Sequence, residues 1–248
     1  MPSLDHARPL NLLIASATSD LPDFTRTVIQ RLSLVENVRI RSIIRLRHDH
    51  ALAVTTPTPN LTYYHDHEDY KSSDDIEREQ EQAAELCSWA DLLVLAPIDA
   101  DSLARMLHGM TNNLHLEILR SWDVSKKILI VPGMSTLMWE NPMTKKQLSK
   151  IRRKWNWIRV LQPVLWSFEP STSSCNTSSG TSTSTSTNTN NNSTTSGRKQ
   201  LPWDGQEGLL ESVQTQVDLL TIGRGLDLTM PHPSTTTTTT TPASALAS

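Results

Sequence analysis

The sequence predicts a three-layer α/β fold, a parallel sheet with helices on both faces. Three observations carry that reading. Short, unbroken apolar runs recur along the chain, the pattern of strands buried on both sides. Segments with helical spacing separate them. None of the runs exceeds a few residues, far short of the ~20 needed to cross a bilayer.

Leu12-Leu13-Ile14-Ala15 is the first run and predicts a central strand. Leu21, Phe24, Val28 and Leu32 then share one helical face, with Pro22 tolerated in the first turn. Val38, Ile40, Ile43 and Ile44 form a second, irregular strand. Residues 57–88 are polar and acidic, and 74–88 predict a solvated helix leading into the Trp89 strand. Leu92 to Ala96 is the clearest strand, and Ile128 to Val131 follows it. Between them Leu103, Met106 and Leu107 mark one helix, and Leu114, Ile118, Leu119 and Trp122 another. Thr144 to Trp155 predicts a basic helix with Lys145, Lys146, Lys150, Arg152, Arg153 and Lys154. Ile158 to Leu161 is a weaker strand, and Leu209, Leu210, Val213, Val217 and Leu220 give a last amphipathic helix.

Hydrophobic residues make up 37% of the 248, below the ~45–50% (glycine included) of ordinary domains. The deficit is local. Residues 169–197 are almost entirely Ser, Thr and Asn, and Thr235 to Thr241 is an unbroken Thr run. Such segments cannot bury enough apolar area to offset their ordering entropy, so disorder is expected there. The expected organisation is a tail over 1–10, one domain over 11–224 with an insert at 169–198, and a second tail over 225–248.

Net charge is −3, from 23 Lys and Arg against 26 Asp and Glu, which gives no general nucleic-acid signature. Cys87 and Cys175 make neither a disulfide framework nor a metal spacing. The start shows no secretory signal, so the expected setting is a reducing cytoplasm without membrane or nucleic-acid partners.

In open parallel sheets, ligands bind beyond the carboxyl ends of the strands. Three segments fall there. Ala15-Ser16-Ala17-Thr18-Ser19-Asp20 enters a helix, where backbone N–H groups suit a phosphate; a plain cap by Ser19 or Asp20 is the alternative. Asp99-Ala100-Asp101-Ser102 follows the 92–96 strand, with Asp101 or Ser102 able to cap the next helix. Pro132-Gly133-Met134-Ser135 opens a loop rich in large side chains, including Met138 and Trp139. Those must be covered by the core, another subunit or a flat aromatic ligand. His65 and His67 flank Asp66 like metal ligands but lack a third, and His48 and His50 carry the same limitation.

Trp89-Ala90-Asp91 with the Leu92 to Pro97 run, Leu103-Ala104, Asn113-Leu114, Arg120, Trp122-Asp123, and Pro132 to Pro142 form one ordered series. The series resembles the homo-oligomeric flavin-containing cysteine decarboxylases, within them the phosphopantothenoylcysteine decarboxylases and the related fungal salt-tolerance regulators. The match is strong over 89–144, weaker over 11–45 and faint over 201–220.

The resemblance implies a Rossmann-like (flavodoxin-like) subunit that binds FMN and assembles as a trimer, with flavin sites between chains. Thr18 and Ser19 stand at the family's Gly-Ser phosphate turn. Asp99, Ala100, Asp101 and Ser102 replace its Ser-Ala-Asn-Thr turn, and Gly133 and Met134 its Ala-Met. In the family reaction FMN oxidises a cysteinyl thiol to a thioaldehyde, carboxylate is lost, and reduced flavin returns the electrons. The groups serving that reaction are not matched. Ala83 holds the position of the family His, Ser135 that of an Asn gripping the substrate carboxylate, and Leu201 to Gln206 lacks the late Cys. Ala83 has no proton to exchange, and such groups contribute ~10²–10⁴-fold each. No catalytic set is intact. Unpaired, ionised Asp99 and Asp101 would also repel a phosphate-bearing cofactor.

The reading is therefore an FMN-binding relative in coenzyme A biosynthesis, weak or inactive alone, in a homotrimer or a heterotrimer with a family paralogue. The alternatives are a regulatory subunit of a Ser/Thr protein phosphatase, as among the salt-tolerance relatives, and a flavin-dependent decarboxylation of another thiol with His65 or His67 as base.

Overall fold

The computed structural model describes residues 8–18, 21–45, 61–66, 72–168 and 198–227. Ser19, His48, His50, His67, Cys175, residues 169–197 and the Thr run lie outside them.

In chain order the elements are β1 (Leu10–Ala15), α1 (Pro22–Leu32), β2 (Val38–Arg45), β3 (Leu61–Asp66), α2 (Ser73–Trp89), β4 (Leu92–Ile98), α3 (Ala100–His108) and α4 (Leu114–Ser121). There follow β5 (Lys127–Ser135), α5 (Thr136–Glu140), α6 (Pro142–Lys154), β6 (Ile158–Val160), β7 (Val164–Phe168), β8 (Arg198–Gln200) and α7 (Gln206–Asp227). The sheet runs β3-β2-β1-β4-β5-β7-β8, with β6 also on β5. Every pairing is parallel except β7 with β8. The order 3-2-1-4-5-6 is that of the Rossmann-like fold. Its point of reversal lies between β1 and β4.

The apolar runs form double-sided strands because successive side chains point to opposite faces. In β1, Leu13 and Ala15 join one core while Leu10, Leu12 and Ile14 join the other. In β4, Leu93 and Leu95 face the first core and Leu92 and Val94 the second. Helices α2, α3, α4 and α6 cover the first face, and α1 and α7 cover the second.

The outer elements depart from expectation. The acidic stretch before α2 includes β3, which pairs with β2 from Ile40↔Leu61 to Arg45↔Asp66. Trp89 closes α2 rather than opening a strand. Strand β5 continues through Pro132 and Gly133 to Ser135, so the segment expected to open a loop is strand. A register shift in the β4–β5 ladder between Leu95 and Ile98 accommodates this. Proline has no N–H to give a ladder and is tolerated at such irregularities. The first half of β5 pairs with β6 and its last three residues with β7.

Candidate functional site

The switch point between β1 and β4 brings together the three segments singled out in the sequence. Ala17 N–H donates to Pro97 O (3.0 Å), tying the β1 loop to the end of β4. Thr25 Oγ1 on α1 reaches Ser16 Oγ (3.2 Å) and Ala96 O (3.2 Å), and Ser16 Oγ donates to Thr18 O (2.9 Å). Thr18 is buried in this lattice. Sequence reasoning placed Ser16 in the phosphate-suited segment but missed Thr25, which sits on a helix outside the three rim segments.

The residue at the N-cap of α1 is Leu21, whose side chain makes no capping hydrogen bond. The cap expected from Ser19 or Asp20 is therefore replaced by an apolar residue. Helix N-termini leave N–H groups without intrahelical partners, and these suit an anion. Pro22 at the first position of α1 has no N–H to give, and Asp23 adds a carboxylate to the first turn, so an anion here would rest on the backbone N–H groups that remain.

At the end of β4 the two carboxylates are not loose charges. Asp99, rather than Asp101 or Ser102, caps α3: the Ser102 N–H donates to Asp99 Oδ1 at 2.7 Å. A carboxylate there is stabilised by the helix dipole. Asp101 pairs with Arg105 one turn on, at 2.8 Å. The expected repulsion of a phosphate is thus blunted at both positions. Ala100 is half-buried and Ser102 buried.

Gly133 lies where the two strand ends meet. A Cβ there would sit 2.7 Å from Pro97 Cβ, so only glycine lets β4 and β5 approach this closely. Met134 is buried in the same core as Val164 and Trp166, which covers the first of the large loop side chains. Ser135 caps α5 by accepting from Met138 N–H at 3.3 Å. Trp139 is half-buried against both cores, while Leu137 and Met138 are exposed.

The positions expected to handle protons are placed differently. Ala83 is completely buried on α2 among Leu86, Ala90 and Ile118. Cys87, one turn on, donates to Ile118 O, and burial pushes its thiol up to about 11. It stays protonated near neutrality and is no substitute base. The stretch 201–206 packs Trp203 edge-on against Phe24, ring centroids 4.7 Å apart, with its N–H on Gln162 O. His65 belongs to β3. Among the described residues no cluster of His, Cys, Asp or Glu is placed to hold a metal, and no helix is long and apolar enough to cross a membrane.

A family model described as Flavoprotein matches residues 9–185. A phosphopantothenoylcysteine decarboxylase from Oryza sativa subsp. japonica is 34% identical over 119 residues, 48% of this chain and 54% of that protein. The Saccharomyces cerevisiae phosphopantothenoylcysteine decarboxylase subunit SIS2 is 39% identical over 79 residues, 32% of this chain and 14% of that protein. The chain thus spans about half or less of the length of these relatives. The solved structure of "The FMN binding protein AtHal3" superposes with a TM-score of 0.47 at 28% identity, over 62% of this chain and 80% of that one.

Proposed function

The chain belongs to the flavoprotein family, and from that premise we propose that it is an FMN-binding, phosphopantothenoylcysteine decarboxylase-like subunit that depends on a partner chain for proton transfer. Its relatives named for that decarboxylase support the reaction class, and a Saccharomyces cerevisiae relative named Coenzyme A biosynthesis protein 3 supports its place in coenzyme A biosynthesis. FMN supplies the electron acceptor for thiol oxidation when bound. The α1 N-terminus and Thr18 hold its phosphate, Asp99 and Ser102 fix the adjoining helix start, and the Gly133–Pro97 contact sets the strand ends beneath it. Ser135 offers one hydroxyl to a substrate carboxylate where an Asn would offer two N–H donors.

The observation that carries this reading is the contrast between the two halves of the site. At the anion end, the α1 N-cap Leu21 makes no side-chain hydrogen bond and the carboxylates of Asp99 and Asp101 are partnered. The position resembling the family's base is Ala83, buried and without a proton to exchange. A mixed trimer, in which a paralogue brings the missing His, Asn and Cys, reconciles the two. The relative SIS2 is itself named a subunit.

The test begins with the purified chain alone. The expected result is a yellow protein with a flavin absorption spectrum and no CO₂ release from phosphopantothenoylcysteine, with activity appearing when a His-bearing paralogue is co-expressed. A colourless protein that takes up no FMN would overturn the cofactor assignment. Robust turnover by the chain alone would overturn its dependence on a partner.

A further inference from the structure

We propose that a cavity at the amino end of the sheet, opposite the rim that carries the candidate flavin site, binds a small aromatic carboxylate. The cavity has a volume of about 310 Å³ and lies among the ends of α3, α4 and α6, beside Ile128 and Ile158 at the starts of β5 and β6. Ligand pockets begin near ~300 Å³, so the space suits one or two fused rings. None of its lining residues belongs to the three segments of the carboxyl rim, so its ligand is additional to a flavin.

The walls select the body of the ligand. Trp155 and Trp157 are half-buried, with ring centroids 6.0 Å apart and planes 23° from parallel. Buried Trp122 completes the aromatic lining. Its indole N–H is spent on Lys126 O at 3.3 Å, but neither of the other two donates to a protein acceptor among the described residues. Val124, also in the lining, is 60% exposed and brings apolar surface out to solvent. Indole rings take a flat partner offset-stacked or edge to face.

The charge selects its head group. Arg120 and His108 are the only ionisable side chains in the lining, which contains no Asp or Glu. The Arg120 guanidinium lies across Gly109: a Cβ there would stand 3.2 Å from its Nη1, and φ of 72° also calls for glycine. It makes no hydrogen bond or ion pair among the described residues. His108 turns its Nδ1 to Ala104 O at 2.7 Å, within its own helix. Asp123, close by in sequence, accepts from Ser125 N–H at 2.9 Å. Three helix C-termini meet at this end, and their dipoles, about half a charge each, favour a cation. Whole positive charges in the last turns outweigh them: Arg120 on α4, and Arg152, Arg153 and Lys154 on α6. A guanidinium with unspent N–H groups pairs with a carboxylate through two parallel hydrogen bonds.

The test is equilibrium dialysis of 2-naphthoate, and of its uncharged counterpart 2-naphthamide, against the full chain with excess FMN present. The acid is expected to bind with a Kd below about 1 mM and roughly 10-fold tighter than the amide. Arg120→Gln should weaken the acid roughly 10-fold and leave both the amide and the melting temperature unchanged. Arg120→Lys, which keeps the charge without the planar fork, should fall between. Val124→Trp, which fills the cavity from an exposed position, should weaken acid and amide together. No binding of the acid at about 1 mM would overturn the proposal. Equal binding of acid and amide would overturn it too, as mere adsorption to apolar surface. So would acid binding that both Arg120→Gln and Val124→Trp leave untouched, or acid that FMN displaces, since either result puts the ligand elsewhere. None of these outcomes bears on whether the chain holds a flavin.

Discussion

Gly133 and Pro97 meet with no room for a methyl group between them. Gly133→Ala puts a Cβ 2.7 Å from a ring carbon that rests on backbone and cannot swing aside. Overpacking of this kind costs about 1–3 kcal/mol, and urea denaturation should show it. If flavin uptake depends on the close approach of β4 and β5, FMN affinity should fall in the same variant. Cys87 makes a different prediction. Its folded pKa is raised from an ordinary 9.0 to about 11, so on alkalinisation the unfolded chain gives up its proton first. The stability contributed by the neutral, buried thiol is full below pH 9 and is lost as pH climbs toward 11. Unfolding midpoints followed over that range should slope downward more in the wild type than in Cys87→Ala. Asp99 shows why single residues were only partly legible. The segment Asp99-Ala100-Asp101-Ser102 offers three capping side chains within four positions, and backbone torsion at Asp99, extended with φ −81° and ψ 172°, decides which one works.

At the scale of elements, legibility followed burial. Strands β1, β4 and β5 read clearly because both of their faces are covered and their apolar runs are unbroken. Strand β3 was hidden because it is the end strand of the sheet, and its Leu61-Thr62-Tyr63-Tyr64 start sits beside an acidic run. Its aromatic content was the available signal, and Arg41 lying 5.9 Å from the Tyr64 ring and 4.4 Å from that of Trp89 shows what the edge packs against. The exposed start of α2 rests on a capping box in which Ser72 and Asp75 exchange hydrogen bonds, at 3.2 and 3.1 Å. Ser72→Ala should cost about 1 kcal/mol. The loss belongs to the first turns alone, so hydrogen exchange should quicken over residues 74–80 and leave those near Leu86 unchanged.

For the molecule as a whole, a parallel sheet with an apolar layer on each face was foreseeable from the unbroken apolar runs, whereas the strand order was not. That Pro132-Gly133 continues a strand rather than opening a loop was not foreseeable from spacing, because it depends on a register shift between two neighbouring strands. The remaining consequence concerns the joint at the sheet's far edge. Strands β7 and β8 lie antiparallel, with Phe168 opposite Arg198, so the two ends of the Ser/Thr/Asn stretch are already held side by side before any of it is counted. Trimming 169–197 to a four-residue turn should lower the closure entropy by about 1–2 kcal/mol and raise the melting temperature without disturbing flavin content. The same doorway should admit a folded guest whose own termini lie close together, making it a natural splice point for a reporter domain.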